Sequence, residues 1–420
     1  MTDFPTSFFS WINDHLSDNP ADLRLRFAGK PGPAEVDIPF AILQVECRRK
    51  CARKLADTLA SFPRFVFPTA LSAEQCSSDR LASFHASLVP EGACTGVDLT
   101  AGLGIDAMTL GRRGLAMTAV EQAHELAKAL RYNSRGLGVE DFEVVEGDCR
   151  EWLSRAVAEG RRYDVAFIDP ARRSESGGRL FALEACSPDV LAMLPDLAKV
   201  CGRLIVKASP MLDVIHTAAE LTPPGATELI AAGTTTECKE LIAVVDFPSA
   251  GTALRIRSVT LLPDGTASEY SYTVADEREA PSVAAGPGIA PGMVLCEPYP
   301  STMKCGAHRA LAAAFGLYGF DANTRLYYAT EAPDGFPGES FDVVDVQEYA
   351  SKNIKRFARK YPAISVTARN FGLTAEELRR KLAVRDGDGR LRVFGLTAAD
   401  GRRLLIVGQN ASKKSGTTAI

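Results

Sequence analysis

The sequence lacks several things, and each absence removes a class of function. No apolar run reaches the ~18 residues that a helix needs to cross a bilayer, so no membrane span is expected. The first ten residues, Met1 to Ser10, show neither a basic segment nor a long apolar one, so no secretory leader is expected there. The ten cysteines include no Cys-x-x-Cys pair. Cys47 and Cys51 share a helix face, but no cluster with metal-ligand spacing accompanies them, so no metal is expected. Scattered, unpaired thiols fit a reducing cytoplasm. Internal repeats and low-complexity tracts are not evident, which argues against a scaffold.

What is present is a soluble globular composition, 46% hydrophobic and 24% charged, in a 420-residue chain long enough for two or three cores. The net charge of −4 is unevenly spread. Residues 351–420 hold 16 Lys and Arg against 5 Asp and Glu, whereas residues 1–350 hold 32 against 47. A basic end on an acidic body points to a polyanion partner for that end alone. A basic face that is merely solvated is the alternative.

The chain is organised around residues 97–107, Val-Asp-Leu-Thr-Ala-Gly-Leu-Gly-Ile-Asp-Ala. An apolar run ends in an acid, a Gly-x-Gly turn follows, and a helical pattern starts at once. That is the opening strand–turn–helix unit of a doubly wound α/β sheet, which binds its ligand at the strand's carboxyl end. Ala101, Gly102 and Gly104 let a ligand approach the backbone closely. Two acids argue against a dinucleotide. Asp98 stands where a carboxylate can accept from a ligand ammonium group, and Asp106 occupies a helix start that a pyrophosphate would need. A cationic ligand without phosphate follows, and S-adenosylmethionine (SAM) fits. Asp106 acting only as a helix cap is the competing reading.

Taken in order, residues 1–90 read as helical. Residues 37–59 carry apolar side chains at helical spacing, with Arg48, Arg49, Lys50, Arg53 and Lys54 on the other side. Pro63 and Pro68 interrupt the pattern. Ser72 and Gln75 form a capping-box candidate for a helix running through Leu88. That helix packs beside the sheet or leans over the ligand. Strands and helices then alternate at βα spacing, with strands near residues 94–99, 116–120, 142–146, 163–168, 202–207, 228–232 and 240–247. Such a count, closed by a hairpin through residues 233–239, matches the class I methyltransferase sheet. Glu121 ends the second strand, where a carboxylate can hold ribose hydroxyls. Asp148 follows the third, placed to accept from an adenine amine.

The fourth strand ends in Asp169-Pro170-Ala171-Arg172-Arg173. It delivers a carboxylate followed by a rigid residue with no amide hydrogen. Amino methyltransferases use an Asp/Asn-Pro-Pro-Tyr box to hold the target nitrogen and stack the base. Here Ala171 and Arg172 replace Pro-Tyr, so the aromatic platform is missing or comes from elsewhere. Arg172 can stack on a base, hold a phosphate or pair with local acids. Lys207, at the end of the fifth strand, faces the same crevice to contact substrate or neutralise Asp169. No Cys adjoins the box, which disfavours pyrimidine carbon-5 chemistry through a thiolate.

Residues 98–107, 169–173, 206–213 and 237–241, with 75–78, 369–371 and 377–382, resemble bacterial class I SAM-dependent methyltransferases that end in a THUMP-like domain. Residues 100–107 are also similar to the bacterial small-subunit rRNA guanine-N2 methyltransferase. The resemblance implies a Rossmann-like seven-stranded sheet over residues 91–275, behind an N-terminal helical region (1–90). It also implies a ferredoxin-like module (276–335) and a THUMP-like RNA-binding domain (336–410). Catalytic candidates are Asp169, Pro170, Arg172 and Lys207. Cofactor-binding candidates are Asp98, Ala101, Gly102, Gly104, Glu121 and Asp148.

Beyond the sheet, residues 251–274 read as a hairpin turning at Pro263-Asp264-Gly265-Thr266, and residues 275–291 as a linker. Residues 304–317 read as one Ala-rich helix, and 349–360 and 374–382 as helices, the latter capped by Thr374 with Glu377. Strands are expected at 293–299, 324–329, 341–346, 363–366, 391–396 and 402–407. The tail from 410 reads as disordered. The reading is a cytoplasmic SAM-dependent methyltransferase acting on a base nitrogen of tRNA or rRNA, gripped through residues 351–410. Two alternatives stand beside it: a protein or small-molecule acceptor, and SAM binding without turnover.

Overall fold

The structure, a computed structural model, describes all residues except 1–3, 30–31, 34–35, 173–182, 184–185, 222–224, 249–250, 252, 322 and 411–420. The expected disorder of the tail therefore lies outside the described residues. The chain divides into two compact units, residues 1–228 with 241–252, and residues 229–240 with 253–420.

The first unit begins with six helices, Thr6–Asp14, Pro20–Phe27, Ile38–Cys51, Ala56–Ser61, Ala70–Gln75 and Asp79–Ser87. The single helix expected over residues 37–59 is thus two, and Arg48 is not on a solvated side. Arg48 is buried and its Nη2 donates to the Phe65 carbonyl at 2.6 Å. It does so because residues 62–69 run without helix or strand and their backbone needs partners. Gln44, fully buried, donates to the Phe67 carbonyl at 2.8 Å and accepts its N–H at 2.9 Å. Asn133 does the same for Val66, both bonds at 2.9 Å. The capping box also falls elsewhere than expected. Thr69 and Ser72 cap Ala70–Gln75, and Ser78 caps the separate helix that follows.

The sheet of this unit comprises β1 (Thr95–Asp98), β2 (Ala116–Glu121), β3 (Phe142–Glu146), β4 (Tyr163–Ile168) and β7 (Cys201–Ala208), with a two-stranded ribbon, β5 (Ala171–Arg172) and β6 (Cys186–Ser187), after β4. The order β7-β4-β1-β2-β3 is parallel throughout. Then β8 (Glu228–Thr234) and β9 (Cys238–Asp246) follow with the expected turn between them, and β9 pairs antiparallel with β7. Thr234 N–H donates to the Glu237 carbonyl at 2.9 Å to close its turn, and Thr227 N–H to Val244 at 2.8 Å. The order reverses at β1, so the crevice beyond its carboxyl end is the place for a ligand.

In the second unit β10 (Arg255–Leu261) and β11 (Ala267–Thr273) make the expected hairpin, where Leu262 N–H bonds the Thr266 carbonyl at 2.8 Å. The expected linker begins instead with a helix, Val274–Glu279, capped by Thr273 and Asp276. The Ala-rich segment is two short helices, Pro300–Cys305 and Arg309–Phe315, because Gly306 turns left-handed between them (φ 84°). A second sheet holds β12 (Val294–Pro298), β13 (Tyr318–Gly319), β14 (Tyr327–Ala329), β15 (Gly338–Glu348), β16 (Ser365–Arg369), β17 (Leu391–Thr397) and β18 (Arg403–Asn410). Its order is β13-β14-β12-β15-β18-β17-β16.

That sheet has a core on each face. Val393, Leu405 and Val407 meet the helices Ser351–Lys360 and Ala375–Leu382 through Phe357, Leu378 and Leu382. Phe341, Phe394 and Ile406 pack with Leu295 and Tyr328. The alternation of side chains along β17 and β18 supplies both. Thr374 and Glu377 form the expected capping box.

Asn133→Ala leaves the Val66 N–H and carbonyl buried without partners. It is expected to cost on the order of 2–4 kcal/mol in urea unfolding without changing the fold. A loss below ~0.5 kcal/mol would mean that residues 65–67 are not held this way.

Candidate functional site

The carboxyl edge of the parallel sheet encloses a cavity of about 360 Å³. Its wall includes Asp98, Ala101, Gly102, Gly104, Glu121, Asp148, Asp169 and Lys207, so eight of the ten expected site residues converge. Pro170 is buried behind the wall, while Ala171 lines it. The side chain of Arg172, and Arg173 entirely, lie outside the described residues. Segment 75–77 also lines the cavity, which places the loop between two N-terminal helices at its wall.

The turn after β1 is tied to both neighbouring strands. Leu99 N–H bonds the Phe167 carbonyl at 2.9 Å, and Ala101 N–H bonds Val120 at 3.0 Å. Gly104 has φ 83° and is the N-cap of the helix Ile105–Arg112; a Cβ there would run into Leu130. Thr100 joins the two expected motifs. Its N–H donates to Asp98 Oδ1 at 3.0 Å, and its hydroxyl accepts the Asp169 N–H at 2.7 Å.

Each acid has a distinct state. Asp98 is 2% exposed, and its Oδ2 has no hydrogen-bond partner among the described residues. Burial pushes its carboxyl well above the usual range. The Thr100 N–H opposes this, and the nearby Asp106, Asp169 and Glu121 carboxylates add to it. A cation in the cavity would reverse that penalty. Glu121 accepts from Gly102 N–H at 2.8 Å and Ala123 N–H at 2.7 Å, which fixes the carboxylate plane while lone pairs remain for hydroxyl donors. Asp148 is already engaged. Arg150 grips it through Nε at 3.0 Å and Nη2 at 2.6 Å and pulls its carboxyl down to about 2. Arg150 therefore lines the cavity beside Asp148.

Asp169 Oδ2 accepts from Lys207 Nζ at 2.6 Å. Lys207 reaches on to Ser77 Oγ at 3.3 Å, and Ser77 donates to Asp106 Oδ2 at 2.6 Å. Asp106 does not cap its helix. Its other oxygen meets His85 Nδ1 at 2.6 Å, because Gly104 takes the cap position and turns the acid inward. Burial pushes the Asp106 carboxyl up, but His85, Lys207 and Ser77 outweigh it and hold it at about 2. Sequence reasoning missed Ser77, His85 and Arg150. Ser77 had a signal, since it lies in segment 75–78, one of those that carry the family resemblance, whereas His85 had none.

The basic helices are equally legible in detail. Lys352, Lys355, Arg356, Arg359, Arg380 and Lys381 are exposed and make no ion pair among the described residues. Others are spent internally: Lys360 on Asp345 (2.8 Å), Arg369 on Glu297 (2.9 Å), and Arg392 on Glu297 (3.1 Å) and Glu339 (3.2 Å). No helix among the described residues is long and apolar enough to cross a membrane.

Comparison with known proteins agrees with this architecture. Residues 295–337 match a family of ferredoxin-like domains, and residues 338–409 a family of THUMP domain-like modules. A crystal structure of a candidate methyltransferase from Porphyromonas gingivalis W83 superposes with a TM-score of 0.84 at 27% identity, over 97% of this chain and 98% of that one. A SAM-dependent methyltransferase from Agrobacterium tumefaciens matches only at a TM-score of 0.32 and 12% identity, over 47% of this chain and 61% of that one, too weakly to carry an argument. No curated protein matches the sequence. The chain has a methyltransferase fold followed by ferredoxin-like and THUMP-like domains.

Asp98→Asn keeps the acceptor for Thr100 and removes a carboxyl that burial disfavours when charged. The wild type loses stability as pH rises from the ordinary carboxyl value through the raised folded value, and the variant does not. The ligand-free variant is therefore expected to melt a few degrees higher at pH 7, with the gap closing towards pH 3.5. Equal melting at both pH values would show that Asp98 is not held at a cost.

Proposed function

We propose that this chain is a SAM-dependent methyltransferase that modifies a base nitrogen in structured RNA, tRNA or rRNA. The observation that carries the cofactor reading is the buried Asp98, with one carboxylate oxygen unengaged at the wall of a cavity that holds further acids and a glycine turn. That site suits a ligand with an ammonium group, ribose hydroxyls and no phosphate. SAM supplies an activated methyl group on sulfur, so the protein's task is to place the acceptor in line.

The protein's own residues divide that work. Asp98 receives the ammonium group, Glu121 the ribose hydroxyls, and Ala101, Gly102 and Gly104 the close approach of the backbone. Asp148, with Arg150 held against it, borders the adenine position. Asp169, locked by Thr100 and Lys207, presents a carboxylate to the acceptor amine, and Pro170 stiffens the chain behind it. In sequence, Arg172 stands two residues beyond Pro170, where the related boxes carry the aromatic ring that stacks on an extruded base. The THUMP-like match and the unpaired cations of the helices Ser351–Lys360 and Ala375–Leu382 support RNA as the polymer held.

Calorimetry is expected to show SAM binding that Asp98→Ala weakens by about 1–3 kcal/mol. Tight NAD binding without SAM binding would remove the cofactor reading. Filter binding of total cellular RNA to the full-length protein tests the polymer. Arg356→Ala and Arg380→Ala should each shallow the salt dependence by roughly 0.7–0.9 of a log unit per tenfold change, without altering sequence preference. Undiminished RNA retention when Lys352, Lys355, Arg356 and Arg359 are all replaced by Glu would favour a solvated face and a protein or small-molecule acceptor.

A further inference from the structure

Five side chains distant in sequence form one continuous hydrogen-bonded line that ends at Asp169. It runs from His85 Nδ1 to Asp106 Oδ1 (2.6 Å), from Asp106 Oδ2 to Ser77 Oγ (2.6 Å), from Ser77 to Lys207 Nζ (3.3 Å), and from Lys207 to Asp169 Oδ2 (2.6 Å). They come from a helix, a loop, a second helix, β7 and the end of β4. His85 is 1% exposed, Ser77 5% and Asp106 9%.

Valence fixes the direction of every bond. An ammonium group only donates, so Lys207 must give protons to both Ser77 and Asp169. The single Ser77 proton is then committed to Asp106, and an ionised Asp106 can only accept, so His85 Nδ1 carries hydrogen towards it. The His85 ring is seated against Phe167, two residues before Asp169, with ring centroids 5.6 Å apart. Burying Asp106 is costly unless paired, and an apolar residue would pack the same space more cheaply. Ser77, Asp106, Lys207 and Asp169 all border the cavity, and the line ends at Asp169, where orientation governs rate.

We propose that Ser77, Asp106 and His85 are positioning residues for the acceptor-binding carboxylate. Buried Asp106, set by His85, anchors the Lys207 ammonium through Ser77, and Lys207 in turn fixes the rotamer and the charge of Asp169. Asp169 thus meets the acceptor as an acceptor-only group in a single orientation. This rests on the reading that Asp169 receives the acceptor amine.

The test uses full-length protein and RNA purified from cells that lack this chain as methyl acceptor. Ser77→Ala is expected to lower kcat by roughly 10- to 100-fold, with the KM for RNA and the SAM dissociation constant within about threefold. Ser77→Thr, which keeps the hydroxyl, restores most of the loss. Equal activity of the Ala and Thr variants, or a lowered Tm with unchanged kcat, would overturn the proposal. A second measurement needs no acceptor. In protein labelled with 15N-lysine, the Lys207 ammonium is expected to give an exchange-protected signal, assigned by its loss in Lys207→Arg. The signal should vanish in Ser77→Ala and in Asp106→Asn. Its absence from wild type, or its persistence in both variants, contradicts the anchor. If the wild type shows the protected signal yet methylates no RNA, the RNA reading fails while the anchor stands.

Discussion

A parallel sheet brings the carboxyl ends of all its strands to one edge, and here it gathers Asp98, Glu121, Asp148 and Asp169 around one cavity. Like charges drawn together at a partly dry edge repel, and the fold has to compensate each one. Glu121 is compensated by two backbone N–H groups, Asp148 by Arg150 and Asp169 by Lys207. Asp98, 2% exposed, has an oxygen without a hydrogen-bond partner among the described residues. A cation bound beside that buried carboxylate would offset the cost of its charge.

The compensation scheme also explains the N-terminal helices. Residues 65–67 are held by Gln44, Arg48 and Asn133, which fixes the path of the chain into segment 75–77 at the cavity wall. From there Ser77 reaches Asp106 and Lys207, and His85 reaches Asp106. What looks like a helical preface to the sheet is therefore part of the site. The structural likeness to the Porphyromonas gingivalis protein over 97% of the chain includes this preface.

Much of this was legible in the sequence for a physical reason. The seven strands expected between residues 94 and 247 are mostly apolar runs bounded by turns, and their observed limits lie within two residues of the expected ones. Acids at strand ends were legible because the strand itself sets where its last residue points. Contacts across long separations were not. Arg48 sits in a helical pattern that places it among solvated bases, yet an unpaired carbonyl at Phe65 draws it inside. For Asp106 a cap is the competing reading, but Gly104 takes the cap and turns the acid towards His85, 21 residues away in sequence. The break of the Ala-rich segment at Gly306 was visible as a glycine, but its left-handed turn depends on tertiary packing.

The account joins a cation-seeking cavity, a positioned carboxylate and a basic terminal domain into one claim, that the chain places a methyl group on a base nitrogen of cellular RNA. Mass spectrometry of nucleosides from the RNA of a strain deleted for this chain tests that claim most directly. The account predicts that one N-methylated nucleoside disappears on deletion, returns with the wild-type chain, and does not return with Asp169→Ala. An RNA nucleoside profile unchanged by the deletion, or restored equally by the Asp169→Ala chain, would contradict it.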